Sequence, residues 1–143
     1  MSIFGKSPPG PQSPRMTNQR LGELISIVSP EVKGQPGYWQ FNIRGRDLLV
    51  ITDETHNRMR IMAPVAPQNE LEEADLVTLL EANFDRALDA KYAMKDQVLW
   101  SVFTHPLAEL TEDQFTDCID QVATLADNFG TSYASSNLFF GGR

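Results

Sequence analysis

At 143 residues and 16.0 kDa the chain has the size of one domain, large enough to bury a core without a disulfide or a structural metal. Its 41% hydrophobic and 22% charged residues are those of a soluble globular protein, no apolar run approaches a membrane span, the N-terminus lacks the apolar stretch of a secretory signal, and Cys118 is a lone cysteine without partners at zinc spacing, so a cytoplasmic protein without cofactor or metal is expected. The net charge of −7 is uneven: residues 1–62 carry eight Lys and Arg against five Asp and Glu, residues 63–143 four against fourteen, and so acidic a second half argues against nucleic acid as a ligand.

Residues 1–15 hold Pro8, Pro9, Pro11 and Pro14 among glycine and serine and read as a disordered Pro-rich tail. Gly5-Lys6-Ser7 imitates the end of a phosphate-binding loop but lacks its first glycine. Thr17 caps a first helix in which Leu21, Leu24, Ile25 and Val28 recur at helical spacing, with Pro30 beyond its end. Lys33-Gly34-Gln35-Pro36-Gly37 reads as a turn. Tyr38 to Arg44 then alternates, Trp39, Phe41 and Ile43 on one side and Tyr38, Gln40, Asn42 and Arg44 on the other, as a half-buried strand does. Asp47 to Thr52 is apolar on both faces, Asp53 to Asn57 is a turn, and Arg58 to Ala63 alternates until Pro64 and Pro67 stop it.

Asn69 followed by Glu72 predicts the start of a second helix, whose Leu71, Leu76, Val77, Leu79, Leu80, Phe84 and Leu88 cover more than one narrow stripe and leave a face for a subunit contact. Lys91 to Met94 and Gln97 to Thr104 read as a hairpin around Lys95-Asp96. Thr111 and Gln114 form a capping box, Leu110 and Phe115 the matching hydrophobic staple, and Glu112 and Asp113 lie in the first turn of a final helix, where carboxylates suit the helix dipole. Residues 131–143 read as a flexible C-terminal tail. The fold class is therefore α+β: an antiparallel sheet in the order helix, three strands, helix, two strands, helix, with helices packed on one face, and a single domain over residues 16–130.

Few residues carry chemistry. The segment from His105 to Phe115 holds a histidine and three acids, but the capping box accounts for Glu112 and Asp113, and a zinc site needs further His or Cys ligands. Asp53-Glu54-Thr55-His56 has the residue types of a solvated turn. Cys118 lies in the apolar set of the last helix and behaves as a small hydrophobe. Arg44, Arg46, Arg58 and Arg60 cluster around the first three strands, with Arg44 and Arg60 on the polar sheet face. They serve either as a solvated face paired with the acidic helices or as a docking surface for an extended, partly acidic peptide.

Leu79-Leu80-Glu81-Ala82-Asn83-Phe84, Val98-Leu99-Trp100-Ser101-Val102-Phe103 and Leu107-Ala108-Glu109-Leu110-Thr111, in that element order, resemble the Tir-chaperone-like family of type III secretion chaperones and the related YbjN-type domains over roughly residues 16–130. The resemblance implies a non-enzymatic homodimer that binds an extended segment of a client protein. The two tails lie outside the family pattern, so an assembly factor for another cytoplasmic client stands beside a secretion chaperone. The expected dimer contact is Leu76, Leu79, Leu80, Asn83 and Phe84; the expected client surface is Leu21, Leu48, Tyr38, Gln40, Arg44, Arg58 and Arg60. Two alternatives are an enzyme with a pocket near His105 and a nucleic-acid-binding module using Arg44 and Arg60.

Overall fold

A computed structural model describes residues 15–137. Most of the Pro-rich segment, with Gly5-Lys6-Ser7, and Leu138-Phe139-Phe140 lie outside the described residues. The elements are α1 (Asn18–Val28), β1 (Val32–Gln35), β2 (Tyr38–Ile43), β3 (Arg46–Asp53), β4 (Arg58–Pro67), α2 (Glu73–Asp85), β5 (Lys91–Lys95), β6 (Val98–His105) and α3 (Glu112–Asp127). The strands form one sheet in the order β1-β2-β3-β4-β6-β5, antiparallel at every pairing.

The caps are where hydroxyl chemistry puts them. Thr17 Oγ1 accepts the Arg20 N–H at 3.2 Å, and at α3 the Thr111 and Gln114 side chains each accept the other's backbone N–H, at 3.1 and 2.9 Å. Leu110 and Phe115 are both buried around that cap. The second helix begins later than Asn69 suggests. Gln68–Glu70 form one 3₁₀ turn, and the cap falls at Glu72, whose N–H donates to Asp75 Oδ2 at 2.8 Å.

Two strand boundaries differ from expectation. Val32–Gln35 adds a short edge strand within the stretch that reads as a turn, because Lys33, Gly34 and Gln35 pair through their backbone with Gln40, Trp39 and Tyr38. Gly34 has φ +113°, and a Cβ there would stand 2.1 Å from the Tyr38 carbonyl oxygen, so only glycine fits. Pro64 does not end β4. Pairing with β3 stops at Met62, so no neighbour on that side needs a Pro64 N–H, and β4 continues along β6 with a bulge between Pro64 and Ala66.

Strand alternation sorts the sheet into two faces. Trp39, Phe41, Leu48, Val50, Met59, Ile61, Leu99 and Phe103 point into the core against α1 and α3, where Leu21, Ile25, Phe115 and Val122 are buried. Each fully buried aliphatic side chain of this set contributes about 1.5–3 kcal/mol. Polar side chains tie the last hairpin to α3: Ser101 Oγ donates to the Val122 carbonyl at 2.9 Å, and the Tyr92 hydroxyl to Leu125 at 2.7 Å. Burial pushes the Tyr92 phenol well above its ordinary pKa.

Helix α2 packs beside β5 through buried Leu79 and Ala82. Residues 131–137, expected to be the start of a flexible tail, are instead held in place. Ser135 is buried, its Oγ accepts the Leu88 N–H at 2.8 Å, and Asn128 Nδ2 donates to the Ala134 carbonyl at 2.8 Å.

Candidate protein-binding surfaces

Among the described residues, no helix covers the face of the sheet turned away from α1 and α3. Register places two full rows across it, Tyr38, Ile51, Arg60 and Thr104, then Gln40, Leu49, Met62, Val102 and Lys91, followed by the pair Asn42 and Asp47 on β2 and β3 and the set Pro64, Trp100 and Ala93 on β4, β6 and β5. None of these side chains is buried, and the apolar ones run through the middle of the face. A cleft of about 480 Å³ opens at one end, with Ile51, Arg58, Arg60 and Thr104 in its lining.

Of the residues expected to meet a client, Tyr38, Gln40, Arg58 and Arg60 share this uncovered side. Leu21 and Leu48 do not. Both have 0% of their surface exposed, on the opposite side of the sheet in the core, so as apolar anchors for a partner they are corrected to core residues. Arg44 also leaves the group. It sits with Gly45 at the β2–β3 hairpin tip, both at positive φ as a two-residue turn of that twist requires, and its guanidinium reaches α3, with Nη1 3.0 Å from Asp120 Oδ1. Arg46 pairs likewise with Asp127 at 2.9 Å. These two arginines brace the sheet against the acidic helix, whereas Arg58 and Arg60 make no ion pair or side-chain hydrogen bond with the described residues.

The residues expected at a dimer contact divide in the same way. Leu76, Val77, Leu80 and Phe84 form an exposed stripe on α2, Leu80 at 69% and Phe84 at 83%. Leu79 faces inward at 4% and belongs to the core, and Asn83 is engaged within the chain, its side-chain amide bonded to the backbone of Tyr92. Val77, one turn before Leu80 and Glu81, is absent from the expected set although helical spacing places it on the stripe.

A second cleft, of about 570 Å³, brings His105 and Cys118 to one wall together with Asp89, Lys91 and Asp117. Most of its polar groups are already engaged. His105 Nδ1 lies 2.8 Å from the Pro106 carbonyl and, as the donor to it, holds the Nδ1–H tautomer. Lys91 Nζ donates to the Asn83 and Ala87 carbonyls at the end of α2, at 2.8 and 3.3 Å. Asp89 and Asp117 each accept from Gln121 Nε2, at 3.2 and 2.9 Å. Burial, reinforced by the charges of Asp117 and Asp89, pushes the Cys118 thiol up to about 12, so it is protonated at neutral pH and is no nucleophile there. His56 is bound at the β3–β4 turn, its N–H and Nδ1 3.0 and 2.8 Å from the Asp53 carboxylate, and these bonds, the backbone one foremost, hold the Asp53 carboxyl below its usual range. Among the described residues no three His, Cys, Asp or Glu side chains converge on a metal position, and no helix is long and apolar enough to cross a membrane.

Comparison with solved structures gives twelve matching chains, among them two that span most of this one. One is a chain of the "Crystal Structure of the ExsC-ExsE Complex", with a TM-score of 0.60 and 14% identity over 77% of this chain and 90% of that one. The other is a chain of the "Structure of the HopA1-SchA Chaperone-Effector Complex", with a TM-score of 0.57 and 12% identity over 78% and 94%. The fold is Tir-chaperone-like. No protein-family model and no curated protein sequence matches the chain. At these identities the Tir-chaperone-like likeness concerns the path of the backbone, and the side chains on the uncovered face are this chain's own.

Proposed function

We propose that this protein is a non-catalytic chaperone or assembly factor that holds an extended segment of a client protein in the cytoplasm and works as a homodimer. The observation that carries the reading is the uncovered sheet face, apolar along its middle, on a fold shared with a chain of a chaperone–effector complex. An extended segment laid there buries its alternate apolar side chains against Leu49, Ile51 and Met62 without any change in the core. The exposed α2 stripe supplies a separate contact for a second copy, since Leu76, Val77, Leu80 and Phe84 together present the i, i+4, i+8 pattern of a packed helix to solvent. The enzyme alternative near His105 is disfavoured by the engaged polar groups and protonated thiol of that cleft. The nucleic-acid alternative is disfavoured by the pairing of Arg44 with Asp120 and by the net charge.

The test is affinity capture from the native source with wild type and with a Tyr38→Glu, Ile51→Glu variant, both exposed positions, checked for folding by circular dichroism. One dominant protein partner with wild type and its loss with the variant is the expected result. Equal recovery with both moves the client off this face, and no partner with either ends the chaperone reading.

A further inference from the structure

We infer that the occupant of the uncovered sheet face is an acidic protein segment, recognised by Arg58 and Arg60 acting as a pair. The inference rests on the segment-binding reading and names the chemistry of the segment. Arg20, Arg44 and Arg46 each have a carboxylate within 3.5 Å, and the Arg86 guanidinium donates to the Ser132 carbonyl at 3.1 Å. Arg58 and Arg60 have no such partner among the described residues, in a chain where nineteen acids outnumber twelve bases. A shortage of carboxylates does not explain it. Asp53 stands directly opposite Arg58 in the β3–β4 register and lines the same cleft, yet its carboxylate is turned to the His56 backbone N–H and ring nitrogen and forms no ion pair with Arg58. Arg60 has only Ile51 and Thr104 across from it. The turn that fixes Asp53 thus aims the nearest carboxylate at His56 and leaves both guanidiniums without a direct contact to it.

The pair also has a spacing. Residues two apart on one strand face the same way about 6.5–7 Å apart, the same repeat as alternate side chains of an extended partner segment. A segment with Asp or Glu at two alternate positions matches both guanidinium forks at once, while its apolar residues meet Ile51 and Tyr38, which stand in the same row as Arg60 on the neighbouring strands. A guanidinium accepts a carboxylate in bidentate fashion, so the pair sets register and partner choice, and the apolar rows supply most of the contact area. A polynucleotide is the poorer occupant: α3 presents Asp120 and Asp127 on the far side of the same sheet, and two guanidiniums are few for a phosphate backbone.

The experiment probes an immobilised array of random 12-residue peptides with the labelled full chain and with an Arg58→Gln, Arg60→Gln variant, and measures binding to heparin and to a single-stranded oligonucleotide in parallel. Expected is enrichment of Asp and Glu at alternate positions among the peptides that wild type binds. The variant should bind those peptides about three- to tenfold more weakly at low salt, with little change for neutral ones. The enrichment is read on wild type alone, so it stands as a test even if the variant folds poorly. Peptide binding without acidic enrichment overturns this inference and leaves the segment-binding reading intact. Binding to no peptide overturns both. Retention on heparin or the oligonucleotide at physiological salt, with none on acidic peptides, replaces the protein segment with a polyanion.

Discussion

The side chain of Asn83 on α2 acts as a strand partner for Tyr92 on β5: its Oδ1 accepts the Tyr92 N–H at 2.8 Å and its Nδ2 donates to the Tyr92 carbonyl at 3.0 Å. Tyr92 spans an edge of the sheet, and an edge residue with a free N–H and C=O is a template for pairing with another chain. One amide closes that template and pins α2 to the sheet. Asn83→Ala is expected to lower stability by about 1–3 kcal/mol, since two backbone groups lose their partners. Urea denaturation with an unchanged slope would record the loss, and hydrogen exchange would show faster exchange at the Tyr92 amide. A midpoint equal to that of wild type would mean that water replaces Asn83 at no cost.

Because Asn83 and Leu79 are turned inward, substitutions on α2 should separate by face. Leu80→Asp and Phe84→Asp place a charge on positions already open to solvent in the monomer and should leave circular dichroism unchanged while reducing the mass in sedimentation from dimer to monomer. Leu79→Ala removes a core side chain and should cost about 2–5 kcal/mol. A monomeric wild type at tens of micromolar, or Leu80→Asp sedimenting as wild type does, would remove the stripe as a subunit contact.

Much of this arrangement is legible in the sequence, and the parts that are not share a cause. Thr17, Thr111 and Gln114 announce their helices because capping is local chemistry. Alternation in Arg58 to Ala63 separates Met59 and Ile61, which are buried, from Arg60 and Met62, which are not. By contrast β1 has no side-chain signature, since it exists through backbone pairing with β2, and Pro64 reads as a stop because the end of β3 beside it is invisible from one strand. Arg44 continues the outward alternation of β2 on paper, but the hairpin turn reverses its direction and sends it to Asp120. Leu21 and Leu48 are apolar in any reading; only the side on which the helices pack decides that they are core. Whether Asp53 turns to His56 within the β3–β4 turn or to Arg58 across the hairpin is a choice of side-chain direction that composition does not reveal.

The Cys118 thiol gives a test of core packing from its ionisation. Its folded-state value, up to about 12 from an ordinary 9.0, means the native state keeps its proton where the unfolded chain has lost it. Stability from this group is therefore complete below pH 9 and is lost as pH rises through the window towards 12. Cys118→Ala should flatten part of the alkaline decline in melting temperature, with Tyr92 contributing a separate part that begins only above its ordinary value of 10.0. In the same vein, Ellman's reagent should react slowly with the native protein at pH 8 and rapidly in 6 M guanidinium. Fast native reaction would show that α3 opens locally.

Gln121 offers the sharpest test of the link between α3 and the loop that precedes β5. It is 2% exposed, and all four of its bonds are made: Oε1 accepts the Asp89 and Ala90 N–H groups at 2.9 and 3.1 Å, and Nε2 donates to Asp89 and Asp117. The two carboxylates are held on one donor nitrogen. Gln121→Glu keeps the shape and the acceptor oxygen but sets a third carboxylate beside the other two in a buried position. Its folded-state pKa must then rise above the unfolded value of about 4.3, through burial and like charge. A raised value means that stability is present below the unfolded pKa and falls as pH rises through the folded one. The variant should thus be nearer to wild type at pH 4, where the protonated acid donates one of the two bonds that Nε2 makes, and weaker by about 3 kcal/mol or more at pH 7. Gln121→Leu, which loses all four bonds and adds no charge, should show a deficit that changes little with pH. Thermal melts of the three proteins from pH 4 to 8 make the comparison. A Gln121→Glu deficit as flat as that of Gln121→Leu would show that water reaches the site and that α3 is not sealed against the loop.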